Sequence, residues 1–203
     1  MNFLAHLFLS GSDADLRTGG FLGDFVRGPL EGKRPERIEA GIALHRHIDA
    51  TSDRAEPMRA AVSLFPRPWR RWAPVALDVL FDHYLALDFD HWQGEALTPF
   101  AERCYRQLDA RRAHFTNPAE RFLDRMTEVN LLAAYADRAT IERTLTHLSR
   151  RARRANPLAE MAPTLYRLER PLGEAFRELL PMLEANARAW RQAADRESDR
   201  RSG

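Results

Sequence analysis

Apolar positions recur at helical spacing along nearly the whole chain, and no stretch alternates apolar and polar residues as a strand would. Prolines and glycines stand where this spacing stops, which is typical of helix ends. The pattern predicts an all-α fold, a single-domain helical bundle. The length of 203 residues fits one domain. We assign that domain to residues 1–194 and expect the charged tail, 195–203, to be disordered.

The segment 74–87, PVALDVLFDHYLAL, is apolar at every angle of a helical wheel and is therefore predicted to be buried in the core. It nevertheless contains Asp78, Asp82 and His83. Asp78 and Asp82 are four residues apart, so they lie on one face of the helix, one turn from each other. Burying two carboxylates is unfavourable unless they are hydrogen-bonded, paired with charge or bound to a cation.

A second helix, predicted at 35–52, places Ile38, Ile42, His45 and Asp49 at i, i+4, i+7 and i+11. These positions form one stripe on the helix surface. Because the apolar half of the stripe must face the core, His45 and Asp49 are predicted to point inward, one turn apart.

His6 and Asp24 also lie among apolar residues, and glycines beside Asp24 would let another helix approach its carboxylate. Each residue alone has an ordinary explanation, such as a hydrogen-bonded core histidine or an aspartate paired with Arg27 or Arg46. A carboxylate such as Asp49 could also simply orient a histidine. One divalent cation would satisfy all of these groups at once. The sequence thus predicts a metal site drawn from His6, Asp24, His45, Asp49, Asp78, Asp82 and His83.

The single cysteine, Cys104, excludes an internal disulfide and fits a reducing cytoplasm. A metal site must then use His, Asp and Glu, which favours Mn, Mg, Fe or Zn. No apolar run is long enough to span a bilayer, and the start lacks the basic segment and cleavage site of a signal peptide. We expect a cytoplasmic protein without a membrane span.

The net charge is only +2, but Lys33 is the one lysine, so the basic residues are almost all arginine. Genomic base composition is the simplest explanation of this excess. The arginines also cluster at 67–71 and 150–154, and such clusters suit an acidic partner. The small net charge and the lack of a recognised motif argue against nucleic-acid binding.

Histidine and carboxylate ligands with open positions suit metal-assisted hydrolysis of a phosphate ester, and nearby arginines would bind phosphate oxygens. No glycine-rich phosphate loop and no G-x-S-x-G elbow occur. Cys104 has no evident activating base, so we predict an inert thiol.

Four segments resemble the acyl carrier protein phosphodiesterase family over roughly the first half of the chain. They are MNFLAHLFLS at the start, GDFVRG at 23–28, GIALHRHID at 41–49 and APVALDVLFDHYLA at 73–86. The resemblance implies an all-helical relative of the HD phosphohydrolases, with the adjacent His-Asp pair reversed to Asp82-His83. It implies hydrolysis of the phosphodiester between 4′-phosphopantetheine and a serine of holo acyl carrier protein. The implied cofactor is a divalent metal, Mn²⁺ first, with Mg²⁺ or Fe²⁺ as alternatives.

The roles expected from this resemblance divide the candidates into three groups. The metal ligands are expected to be His6, Asp24, His45 and Asp82. The reversed pair leaves open whether Asp82 or His83 is the ligand, and Asp82 is favoured because it shares a face with Asp78. The catalytic group is expected to be His83, which protonates the leaving serine oxygen, with Asp49 and Asp78. Arg27 or Arg46 is expected to bind the phosphoryl oxygens. The arginine clusters would then dock the acidic carrier protein.

Two other functions remain open from the sequence. One is an HD-like phosphohydrolase of the same architecture that acts on a nucleotide or a small phosphodiester. The other is a non-catalytic helical module that binds an acidic protein, which would bind tightly without turnover.

Overall fold

Twelve α-helices joined by turns and loops form the part of the chain that the computed structural model describes: the backbone of residues 1–202 and the side chains of residues 1–196 and 200. No strand occurs within these residues, which confirms the predicted all-α, single-domain fold. None of the described helices combines the length and the apolarity needed to cross a membrane. The helices are α1 Phe3–Leu9, α2 Ala14–Leu22, α3 Glu36–Arg54, α4 Glu56–Ser63, α5 Ala73–Leu87, α6 Phe89–Gln93, α7 Leu97–Asp109, α8 Asn117–Glu128, α9 Leu131–Ala134, α10 Arg138–Arg151, α11 Ala162–Arg167 and α12 Glu169–Ser202.

Helix α5 lies in the core, as its apolar sequence predicts. Leu77, Phe81 and Leu85 along it are fully buried, and α1, α4, α10 and α12 pack around it. Most of the helix is therefore shielded from water, so its buried polar side chains must find partners inside the protein. Those partners decide what Asp78, Asp82 and His83 do.

Helices α2 and α3 cross at glycines that allow their backbones to touch. A Cβ atom added at Gly19 would lie 2.2 Å from the carbonyl oxygen of Ile38 and 2.5 Å from the Cα of Gly41. One added at Gly41 would lie 2.3 Å from the carbonyl oxygen of Leu16. No other residue fits at either position without moving a backbone, so this contact fixes how α3 is placed against α2.

Helix α12 extends further than the sequence pattern suggested. The expected disordered tail begins at Asp195, but the structure continues the helix to Ser202. The Asp195 carboxylate accepts a hydrogen bond of 2.6 Å from Arg37 of α3, and a helix already formed propagates easily through the residues that follow. The final residue, Gly203, lies outside the described part.

Candidate metal centre

A histidine–aspartate–histidine cluster joins α1 to α3. Oδ1 of Asp49 lies 3.1 Å from Nε2 of His6, and Oδ2 lies 3.2 Å from Nε2 of His45. The two imidazole rings stack with their centroids 3.7 Å apart and their planes at 17°. One ligand atom from each of the three residues lies within 4.8 Å of the other two. The fold thus brings together three of the residues that the sequence singled out.

The spacing along α3 accounts for two of these side chains. Ile38 and Ile42 are buried, so the stripe that they begin faces the core and takes His45 inward with it. Room for the imidazole ring comes from Gly23, where an added Cβ would lie only 2.2 Å from Cγ of His45. Glycine at this position is therefore a requirement of the site.

The hydrogen bonding of His45 fixes which ring nitrogen is free. Nδ1 lies 2.8 Å from the carbonyl oxygen of Gly20, which can only accept, so Nδ1 carries the hydrogen and donates it. In the neutral ring Nε2 then presents a lone pair toward the Asp49 carboxylate. Two acceptors 3.2 Å apart need a proton or a cation between them.

His6 closes the other side of the cluster. Its Nε2 lies 3.2 Å from the carbonyl oxygen of Met1, and its Nδ1 is buried without a hydrogen-bond partner among the described atoms. Both imidazoles are buried, whereas 43% of the Asp49 side chain is exposed. The cluster is thus sealed on its histidine side and open to water at the carboxylate.

Electrostatics favours one positive charge in this cluster. Burial, reinforced by the neighbouring His45, lowers the pKa of His6 to about 3. Burial also lowers the pKa of His45, but the carboxylates of Asp49 and Asp24 outweigh it and leave that pKa raised. Burial alone would raise the pKa of Asp49, yet hydrogen bonds from His45 and His6 hold it well below its ordinary value. The positive charge is supplied either by a proton on His45 or by a bound cation.

Asp24 stands next to the cluster in a turn, because α2 ends at Leu22. Its carboxylate forms no hydrogen bond or ion pair with another described residue. Burial raises its pKa, and the charge of His45 opposes that rise. Asp24 is therefore a free carboxylate within electrostatic reach of His45 and Asp49.

Asp82, expected as a metal ligand, lies outside the cluster. Its Oδ2 accepts a hydrogen bond of 2.7 Å from the amide of Leu4, and its Oδ1 accepts one of 3.1 Å from the amide of Ala5. These are first-turn amides of α1 that the side chain of Asn2 leaves uncapped. Burial raises the pKa of Asp82 to about 7. In the structure Asp82 is thus a distant cap for the helix that carries His6.

Asp78 contacts the amino group of Met1 at 2.7 Å, and the same amino group lies 3.6 Å from Oδ1 of Asp49. Burial lowers the pKa of this amine, but Asp78 and Asp49 outweigh burial and raise it to about 10. Asp78 therefore holds the segment before α1 and does not itself join the cluster.

Three other expected site residues point elsewhere. His83 is buried, with Nδ1 2.7 Å from the carbonyl oxygen of Tyr135. Arg46 donates a hydrogen bond of 2.9 Å to the carbonyl oxygen of Val26 and so supports the turn after α2. Arg27 lines a small cavity of about 280 Å³ that contains none of the cluster residues.

Sequence reasoning missed two polar residues beside Asp24. Asn2 donates a hydrogen bond of 2.9 Å from Nδ2 to the hydroxyl of Tyr135, which is fully buried. Both residues line the same cavity as Asp24, with a volume of about 880 Å³. They are 133 positions apart, and neither stands in a pattern that indicates chemistry, so no local signal could have paired them.

The fold and the site define an all-α protein whose apolar core holds a histidine–aspartate–histidine cluster open to solvent on one side. The chain belongs to the acyl carrier protein phosphodiesterase family, whose sequence profile matches residues 1–183. It is 32% identical to the acyl carrier protein phosphodiesterase of Yersinia pestis over 92% of this chain and 97% of that protein. The protein of the same name from Photorhabdus laumondii is 34% identical over 78% of this chain and 81% of that protein. The one from Serratia proteamaculans is 36% identical over 68% of this chain and 79% of that protein.

Membership confirms the resemblance found in the four segments and the predicted enzyme class, a phosphodiesterase. The profile extends the similarity well beyond the first half of the chain, where the matching segments lie. No solved structure matches, so the relation to HD phosphohydrolases stays a prediction.

Proposed function

We propose that this protein hydrolyses the phosphodiester that joins 4′-phosphopantetheine to a serine of holo acyl carrier protein. The products are apo acyl carrier protein and free 4′-phosphopantetheine. The family and the names of the relatives support this substrate. One observation carries the site assignment: Nε2 of His45 faces a carboxylate oxygen at 3.2 Å while Nδ1 is already engaged by Gly20.

The same cluster is the proposed site of a divalent cation, Mn²⁺ first and Mg²⁺ or Fe²⁺ as alternatives. The donor set fits, because His6, His45 and Asp49 offer two imidazole nitrogens and a carboxylate within 4.8 Å of one another. The low pKa of His6 keeps its imidazole neutral, as a metal ligand must be. A cation held there would polarise a phosphoryl oxygen and make water a better nucleophile.

Residues next to the cluster have the other proposed roles in metal and substrate binding. Asp24, free and next to the cluster, is the proposed fourth group of the site and its second carboxylate, which completes the ligand set or orients water. Gly20 holds the His45 ring through its carbonyl oxygen. The amide of Asn2 and the hydroxyl of Tyr135 are polar groups in the cavity beside Asp24 and are placed to bind phosphodiester oxygens. The proposal leaves Asp82, Asp78 and Arg46 in structural roles.

The test compares two histidines of the same helix. His45→Ala removes a cluster ligand, while His47→Ala is the matched control, because His47 contacts Asn186 of α12 instead. Chelator-treated protein is titrated with Mn²⁺, Mg²⁺ and Fe²⁺ by calorimetry and then incubated with holo acyl carrier protein. Mass spectrometry follows the loss of phosphopantetheine.

We expect wild type and His47→Ala to bind metal and convert the carrier protein, and His45→Ala to lose at least about 100-fold in rate. Metal binding and turnover that persist in His45→Ala would reject the site. Failure of all folded variants to release phosphopantetheine would reject the substrate.

A further inference from the structure

A groove of about 880 Å³ runs from Asn2 and Asp24 to the exposed faces of α8 and α10. Asp24, whose carboxylate is free, lines the groove and directly follows Gly23, which packs against the His45 ring. His6, His45 and Asp49 do not themselves line it. Most of the lining comes from the chain's second half, which contributes no group to the cluster. The groove therefore connects the proposed site of chemistry to a different part of the molecular surface.

The floor of the groove is aromatic. Phe3 and Phe122 stack with their ring centroids 4.5 Å apart, and Phe25 lies 5.5 Å from Phe122. All three rings are only partly buried. Val129, which also lines the groove, is 61% exposed. An apolar floor of this kind suits a flexible, weakly polar segment better than a highly charged one.

Four arginines form what we call the basic rim of this groove: Arg121, Arg125, Arg143 and Arg151. All four are exposed. The guanidinium groups of Arg121, Arg125 and Arg151 form no hydrogen bond or ion pair with a described residue. Asp24 is the one carboxylate among the described residues that line the groove. Free guanidinium groups beside a groove lined by a single carboxylate favour a ligand that brings its own anions.

His147 shows that these positive charges converge. It lies in the groove between α8 and α10, and burial lowers its pKa. Arg151, Arg125 and Arg150 lower it further. Guanidinium groups from two helices thus act on the same ring, which places their charges on one continuous surface.

The other arginine cluster of the sequence offers no comparable surface. Arg70 donates hydrogen bonds to the carbonyl oxygens of Phe65 and Ser63, and Arg71 stacks on Trp72. Neither lines the groove. The two clusters looked equivalent in the sequence, but the cluster at 150–154 contributes Arg151 to the basic rim and the cluster at 67–71 contributes no residue to it.

We propose that the groove is the docking face for the acidic carrier protein, with the basic rim paired to carboxylates of the partner and the aromatic floor under the pantetheine arm. This inference rests on the proposed function for the identity of the partner. Charge complementarity selects that occupant, because an anionic protein carrying a flexible arm matches both the rim and the floor.

Binding of apo acyl carrier protein, measured by calorimetry, tests the docking face without any turnover. The variants are Arg125→Glu and Arg151→Glu, with Arg67→Glu as the matched control, since Arg67 is exposed and remote from the groove. Unfolding midpoints check that each variant is folded. We expect Kd to rise at least about tenfold for each rim variant at low salt, and by less as salt is added. We expect Arg67→Glu to stay within about twofold of wild type.

Equal Kd values for the rim variants and Arg67→Glu would overturn the docking face. A rim-dependent Kd together with no release of phosphopantetheine would support the docking face and reject the proposed hydrolysis, so the two failures are distinguishable. A single-stranded RNA that displaces the carrier protein with equal affinity would overturn the assignment to a protein partner.

Discussion

At the scale of single residues, two aspartates that look alike in the sequence, Asp49 and Asp82, have different partners in the structure. The spacing along α3 was enough to predict that His45 and Asp49 lie on one face and that His45 is buried, but 43% of the Asp49 side chain is exposed. The spacing along α5 could not reveal that Asp82 binds amides of Leu4 and Ala5, because those amides are 78 and 77 positions away. Local periodicity identifies the helix face on which a side chain lies, but not the group on another helix that it contacts.

We expect Asp82→Ala to lower the free energy of unfolding by roughly 2–4 kcal/mol, because two buried amides of α1 lose their acceptor. Asp49→Ala is the control and should change it far less, since 43% of that side chain is exposed. Urea denaturation of the metal-free proteins measures both. An Asp82→Ala protein with unchanged stability but no metal binding would restore Asp82 as a ligand.

At the scale of helices, glycine determines the arrangement of the ligand-bearing elements. The sequence indicated that glycines near Asp24 would let another helix approach, and in the structure α3 packs against Gly19 and Gly23. Gly41 of α3 is the partner of Gly19, and no sequence pattern pairs two helices at a given position. The pairing depends on tertiary packing, and the close contact that results fixes the position of His45 relative to α2.

Gly41→Ala should therefore destabilise the protein by at least about 1–3 kcal/mol, because its new Cβ would overlap the carbonyl oxygen of Leu16. Gly173→Ala is the matched control. At that position in α12, the nearest atom to an added Cβ is Nη1 of Arg177 at 3.6 Å. We expect that variant to be neutral or stabilised by up to about 1 kcal/mol. Thermal unfolding of the two variants side by side checks the difference, and equal melting temperatures would contradict the close crossing.

At the scale of the whole molecule, the first half of the chain supplies the cluster and the second half supplies most of the groove. The helical pattern of 117–151 was readable from the sequence. The groove was not, because it forms only where α8 and α10 meet Phe3 and Phe25. A surface built from distant segments produces no periodic pattern in the sequence of either segment.

The single thiol offers a test of the whole fold. Cys104 is fully buried, and burial raises its pKa to about 11. Because thiolate is the reactive form, raising the pH from 7 to 9 should leave the folded thiol unreactive toward a disulfide reagent. The same change should speed the reaction of the denatured chain, whose thiol has its ordinary pKa. Absorbance at the released chromophore measures both rates, and fast labelling of the native protein would contradict this packing.

In the cluster of His6, His45 and Asp49, both imidazoles are buried and the carboxylate is exposed to water. A substrate can therefore reach the cluster from one side only. The two non-bridging oxygens of the proposed phosphodiester are both surrounded by water in free solution. At a cluster reachable from one side only, one oxygen would face the protein while the other would face the solvent. The two oxygens would then no longer be interchangeable, and replacing one by sulfur should impair hydrolysis more than replacing the other.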